Sequence, residues 1–281
     1  MAQADMPTMR SRRLGGELRR LRLEAGLKVQ DAAIALECGH PKISQIETGK
    51  RGIRQLDLTT LLKLYGVEDE TLRLSLKKLA REIHRVDWWT KAGPLLHDEL
   101  KDYLTLETDS ELVRTYETMV VPGLLQTEAY ARQIIAPVSP ASADALVDTR
   151  MKRKVLLDNR SLILRAVIDV PALHRIPGGD ATARDQLRHL CDMAARPNVT
   201  VQVLPLAASL PIDELPPFTV FSLRGEPKAS VVWLEHLSGA TLLEQQPDVS
   251  RYGQAWDELT ASALSPADSV KYVRDLLDKE R

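Results

Sequence analysis

Apolar positions recur with a helical period over the first third of the chain and with a strand period over much of the last third. Leu14, Leu18, Leu21 and Ala25 keep the i, i+4, i+7 spacing of a helix that Gly26 ends. A short helix is expected from about 29 to 36, with Ala32, Ala33 and Leu36 inward, and a third over about 40–47. Gly39 stands at the N-cap of the third, Pro41 in its first turn, and Gly49 after it. Two more helices are expected over about 56–65 and 70–86. Residues 95–158 read as mostly helical, punctuated by Pro122-Gly123, Pro137 and Pro140. Then the period changes. The runs LILRAVID, VTVQVLP, FTVFSL and SVVWLE are rich in Val, Ile, Leu and Thr and bounded by turn residues, as strands are. A helix over about 181–194 separates the first two, and helices over about 247–263 and 266–279 end the pattern. The fold class this predicts is mixed: an all-α bundle over 1–86, an interdomain segment over 87–97, and an α+β domain over 98–281 with one sheet flanked by helices.

Composition changes the picture little, but charge does. The 281 residues carry a formal net charge of −1 and two cysteines, Cys38 and Cys191, far apart in the chain. No disulfide framework is expected, which fits a reducing, cytoplasmic setting. No signal segment and no membrane-spanning run is expected. The near-neutral total hides an asymmetry: residues 1–85 hold 17 Lys and Arg against 11 Asp and Glu, and residues 86–281 hold 21 against 28. A basic head on an acidic body is the distribution expected when only the head meets a polyanion.

The segment LKVQDAAIALECGHPKISQIETGKRG, Leu27 to Gly52, carries the chemistry. It resembles the helix-turn-helix of the Cro/C1-type (Xre) repressor family: small Ala33 in helix two, a four-residue turn, Ile43, and the ending Ile46-Glu47-Thr48-Gly49. The second helix of such a pair fits the major groove of B-DNA. Ile43 and Ile46 are expected to face the bundle, leaving His40, Lys42, Ser44 and Gln45 outside. Gln pairs well with adenine and Lys with guanine. The resemblance implies base reading at His40, Pro41 and Gln45. It also implies phosphate contacts at the start of helix two and after helix three. Val29 stands where family members often have Gln, so Lys28 or Gln30 is expected to take that contact. Lys50, Arg51 and Arg54 form a basic cluster for the backbone, and Arg10, Arg12 and Arg13 an N-terminal arm. The alternative for these basic residues is an ordinary solvated face on a protein-binding module.

From about 98 to 279 the chain resembles the C-terminal domain of WhiJ-like regulators of actinobacteria. The resemblance rests on Tyr116-Glu117, VPGLLQTEAYAR (121–132), PALHRIPGG (171–179), QLRHL (186–190), RPNVTVQVLP (196–205), PFTVFSL (217–223), VVWLE (231–235) and ALSPADS (263–269). Val170 departs from it, standing where the family usually has an acidic residue. The resemblance implies a regulator of development or secondary metabolism, often encoded beside a small partner protein and in some cases described as antitoxin-like.

The body's own residues offer little catalytic chemistry. Its histidines lack metal-ligand spacing, and no P-loop, GxGxxG or nucleophile-elbow motif follows a strand, so no cofactor, metal or enzymatic activity is expected. Two features bear on a pocket. Leu124, Leu125 and Tyr130 can line one side of a helix, as a core element or as a groove wall. Trp233 and Glu235 share a strand face, as core and edge or as the lining of a cavity. The function this predicts is a DNA-binding transcription regulator, acting as a homodimer on duplex DNA, with a body that senses a small partner protein or ligand. The rival is an antitoxin-like protein that chiefly neutralises a small partner.

Overall fold

The structure, a computed structural model, describes residues 8–83, 98–158, 160–208 and 215–279. The chain divides into two compact units: Met1–Lys91 with Gly225–Lys228, and Ala92–Arg224 with Ala229–Arg281. The expected interdomain segment, 87–97, lies outside the described residues.

The first unit is helical: α1 (Met9–Glu24), α2 (Val29–Ala35), α3 (His40–Glu47), α4 (Gln55–Leu64) and α5 (Glu70–Glu82). The Thr8 hydroxyl caps α1 by accepting from the Ser11 N–H at 3.2 Å, and the Asp69 carboxylate caps α5 through the Thr71 N–H at 2.8 Å. One core gathers Leu14, Leu18 and Leu21 of α1, Ala32 and Ala33 of α2, Ile43 and Ile46 of α3, Leu58, Leu61 and Leu62 of α4, and Leu76 and Ala80 of α5. The helical spacing of these residues is what brings them to one interior.

Helices α1 and α3 lie closer than side chains ordinarily permit. A Cβ on Gly15 would sit 2.4 Å from the Ile46 carbonyl oxygen, and one on Gly49 2.7 Å from the Arg12 nitrogen. Gly49 also has φ +73°, which lets α3 end sharply. A buried ion pair spans the same junction. Arg22 Nε donates to Glu47 Oε1 at 2.6 Å and Nη2 to Oε2 at 2.9 Å. Its Nη1 donates to the Leu27 carbonyl at 2.7 Å. The fork geometry satisfies both oxygens, and both side chains are 6% exposed.

The second unit contains α6 (Asp98–Asp109), β1 (Ser110–Glu117), α7 (Glu128–Ile135), α8 (Ala143–Arg153), α9 (Val155–Asp158), β2 (Ile163–Asp169), α10 (Val170–His174), α11 (Gly179–Ala194), β3 (Val199–Leu204), β4 (Phe218–Leu223), β5 (Ala229–His236), β6 (Gly239–Leu243), α12 (Gln246–Ser262) and α13 (Pro266–Lys279). The strands form one mixed sheet in the order β3-β2-β1-β4-β5-β6. Strands β1, β2 and β3 are parallel neighbours, and β4, β5 and β6 continue from β1 as antiparallel ones. This is the α+β domain expected, with a correction inside it: residues 110–117, read as helical, form β1, one of the two middle strands. Strand β1 follows α6 directly, without a glycine or proline between, and its SELVRTYE sequence keeps polar residues on both faces.

The two faces of the sheet are differently filled. On one, Tyr116, Val167, Phe218, Val220 and Val232 pack against Trp256 and Leu259 of α12. On the other, Thr115, Thr219 and Trp233 align across β1, β4 and β5. Tyr103 of α6 stacks edge-on there against Phe221 at 5.2 Å and Trp233 at 5.6 Å. The edge strand β3 is tied down by side chains. The Val203 N–H donates to the buried Ser269 hydroxyl at 2.9 Å, and Gln202 Nε2 to the Leu264 carbonyl at 2.9 Å.

Removing one partner of the α1–α3 pair leaves the other charge buried and alone. Glu47→Ala is expected to weaken the first unit by about 3–5 kcal/mol, and the double change Arg22→Met with Glu47→Leu to recover most of it. Urea unfolding of the full chain, with amide exchange followed at α1 and α3, measures both. A loss under about 1 kcal/mol for Glu47→Ala would mean the pair does not hold α3.

Candidate nucleic-acid interface and a cleft in the second unit

Helix α3 separates its residues cleanly by face. Ile43 and Ile46 are buried at 1% and 3% exposure, and His40, Pro41, Ser44 and Gln45 are exposed. His40 and Gln30 hydrogen-bond through their side chains, so the starts of α3 and α2 present one polar corner. Lys28 is exposed at the N-cap of α2, its N–H donating to the Asp31 carboxylate at 2.7 Å. Lys50, Arg51 and Arg54 follow α3 as an exposed basic run.

The surface differs from the sequence expectation in two places. Lys42 is not without a partner: its ammonium sits 2.7 Å from the Asp57 carboxylate in the first turn of α4, both partly buried. The supposed arm is not an arm either. Thr8 starts α1 at Met9, so Arg10, Arg12 and Arg13 are helical, with Arg10 4% exposed and the other two half-buried.

In the second unit a cleft of about 750 Å³ opens on the Tyr103 face of the sheet. Glu117 lines it from β1, Trp233, Glu235 and His236 from β5, Ile134 from α7 and Leu146 from α8. A second buried fork holds Arg153, one of the lining residues. Arg153 Nε and Nη2 donate to Glu107 at 2.8 and 2.6 Å, both side chains nearly sealed from water. The Arg153 guanidinium lies 5.1 Å from the Tyr103 ring centroid. Arg150, one turn earlier on α8, reaches the cleft and donates to Gln126 Oε1 at 2.8 Å. Burial and the neighbouring Arg153 push its guanidinium down to about 10.

Glu117 is the most perturbed acid of the cleft. Burial, with the Glu235 charge beside it, pushes its carboxyl up to about 8, and Arg150 opposes this only in part. Register explains the pairing of acids. Thr115 and Trp233 share one row across the sheet, so Glu117 and Glu235, each two residues further along strands of the same direction, share the next.

Of the pocket residues expected from the sequence, Trp233 and Glu235 line this cleft; Leu124, Leu125 and Tyr130 do not. The last three are core, at 3%, 0% and 0% exposure. The expected single helix breaks at Gln126, and Thr127 caps a new one, α7. The loop is held by buried polar groups: the Val121 N–H donates to the Tyr130 hydroxyl, and Gln186 accepts from the Thr127 N–H and donates to the Leu125 carbonyl. Glu107, Glu117, Arg150 and Arg153 were not singled out by sequence reasoning, because helix and strand bring them together from distant positions. Glu117 lay within a recognised segment, but spacing alone did not assign it a role.

Family comparison adds to this geometry. Residues 13–76 match the model described as a helix-turn-helix domain, and residues 100–275 match the one described as a domain of unknown function, DUF5753. The chain belongs to the DUF5753 family. No curated protein matches the chain. In this DUF5753 protein the helix-turn-helix match supports a DNA-binding regulator. Among the described residues no helix is long and apolar enough to cross a membrane.

Glu117 also sets a pH dependence. Between the ordinary carboxylate range and pH 8 the folded DUF5753 domain holds a proton that the unfolded chain has lost, so stability falls as pH rises through that window. Glu117→Gln, which mimics the protonated acid, is expected to raise the melting temperature by several degrees at pH 8.5 and by clearly less at pH 5, only just above the ordinary carboxylate range. Each kcal/mol corresponds to about 2–4 °C for a domain of this size. Thermal melts at the two pH values check this; equal gains at both would contradict it.

Proposed function

We propose that the chain is a sequence-specific transcription regulator of the Cro/C1 type with a WhiJ-like second domain, in which residues 1–86 bind duplex DNA and residues 98–281 sense an effector. The observation that carries this reading is the face separation on α3. A helix anchored by Ile43 and Ile46 and clamped at its last turn through Glu47 presents Ser44 and Gln45 outward beside His40 and Pro41. Such a helix has the shape and polarity to enter the major groove. Lys28, Gln30, Lys50, Arg51 and Arg54 flank it with donors for phosphates, which position the domain without reading sequence. Lys42 acts in this reading through Asp57, fixing α3 against α4, rather than on a base.

One helix-turn-helix buries too little surface for tight specific binding, so the regulator acts as a homodimer on half-sites about 34 Å apart. The cleft in the second unit favours effector sensing over an antitoxin-like role, because a body that merely sequestered a protein partner would need no such cavity.

Titration of the full chain against its own promoter DNA and unrelated DNA, at two salt concentrations, tests the reading. Gln45→Ala is expected to weaken promoter binding by about 1–3 kcal/mol and to leave nonspecific binding unchanged. Salt-sensitive binding indifferent to both DNA sequence and Gln45 would overturn base reading by α3.

A further inference from the structure

The cleft's size and walls restrict what it can hold. At about 750 Å³ it falls in the range of small-molecule sites. Ile134, Val138 and Leu146 give it an apolar stretch. Its polar lining is mixed in sign: Arg153 is already matched by Glu107, which leaves Arg150 with the acids Glu99, Glu117 and Glu235 and with His236. Trp233, 6% exposed, carries an indole N–H with no hydrogen-bond partner. A buried donor left unpaired costs free energy that a ligand's acceptor would restore. Arg150 spends one nitrogen on Gln126 and has further N–H groups to give.

A charged head group suits this arrangement poorly. An anion near Arg150 would also meet the Glu235 charge, and a cation near Glu235 would also meet Arg150, while Glu117, held protonated near neutral pH, adds no charge to favour either. An uncharged dipolar group faces neither repulsion. We propose that the cleft binds a small amphiphile whose uncharged carbonyl head accepts from Arg150 and the Trp233 N–H, with its apolar body along Ile134 and Leu146. This deepens the effector-sensing reading above and rests on it for its regulatory meaning, though not for binding itself.

The test uses the full chain and three series of probes with the same six- to twelve-carbon tails: primary amides, carboxylates and amines. Binding is followed by calorimetry and by ligand-observed saturation transfer. The amides are expected to bind saturably at one site per chain, at least tenfold tighter than the matching acids and amines. Trp233→Phe keeps an aromatic ring at that position and removes the N–H, and Arg150→Met removes the second donor; each should weaken amide binding tenfold or more. No saturable amide binding, a preference for acids or amines, or full affinity in Trp233→Phe would overturn the site. Promoter titration in the presence of the best amide separates the two readings. Amide binding that leaves promoter affinity unchanged supports the site and overturns effector sensing. Promoter recognition intact with no amide binding overturns the site alone.

Discussion

A guanidinium taken out of water must bring its counter-charge with it, and each unit of this protein is arranged around one such pair. In the first, Arg22 and Glu47 share two hydrogen bonds across the α1–α3 junction, where glycines at 15 and 49 let the backbones approach. Breaking the pair leaves a buried charge worth several kcal/mol, comparable to much of a small domain's net stability. The orientation of α3 is therefore fixed by its last turn, and its outward residues inherit that orientation. In the second, Glu107 neutralises Arg153 beneath Tyr103. With that guanidinium matched, Arg150 faces the cleft together with the acids Glu117 and Glu235.

The two surfaces that follow differ in kind. The α3 face is exposed, convex and polar, bordered by cations, and suited to a large anionic partner whose phosphates supply most of the attraction. The cleft is concave and half apolar, with polar groups of mixed sign in its lining. Its perturbed groups, Glu117 and Arg150, are gathered at this one cleft, as titratable residues often are at functional sites.

How much of this was legible in the sequence follows from how local the signals are. The head was readable because its elements carry their own punctuation: the glycine after α1, Gly39 before α3 and Pro41 in its first turn, Gly49 after it, and leucines at helical spacing between. Strand β1 was not, because α6 runs into it without a break and its polar residues disguise the alternation. The 121–132 segment misled for the opposite reason. Its apolar residues fit a helical stripe, but Thr127 caps a new helix, and the preceding turn is held by Tyr130 and, from outside the segment, by Gln186. In the cleft, period-two alternation was enough to put Trp233 and Glu235 on one face. Glu117 and Arg150 join them only through sheet register and helix packing, which no local pattern encodes. Arg10 and Lys42 show the remaining gap: a sequence reports a charge, while an ion pair or a helix start decides whether that charge is available.

The central claim is that α3 reads bases from the major groove. Methylation interference on promoter DNA tests it most directly, because guanine N7 lies on the major-groove edge. The account predicts that methylation interferes at discrete guanines in two half-sites about one helical turn apart, and that Gln45→Ala alters the pattern. Binding that tolerates methylation at every guanine, with contacts confined to phosphates, would contradict it.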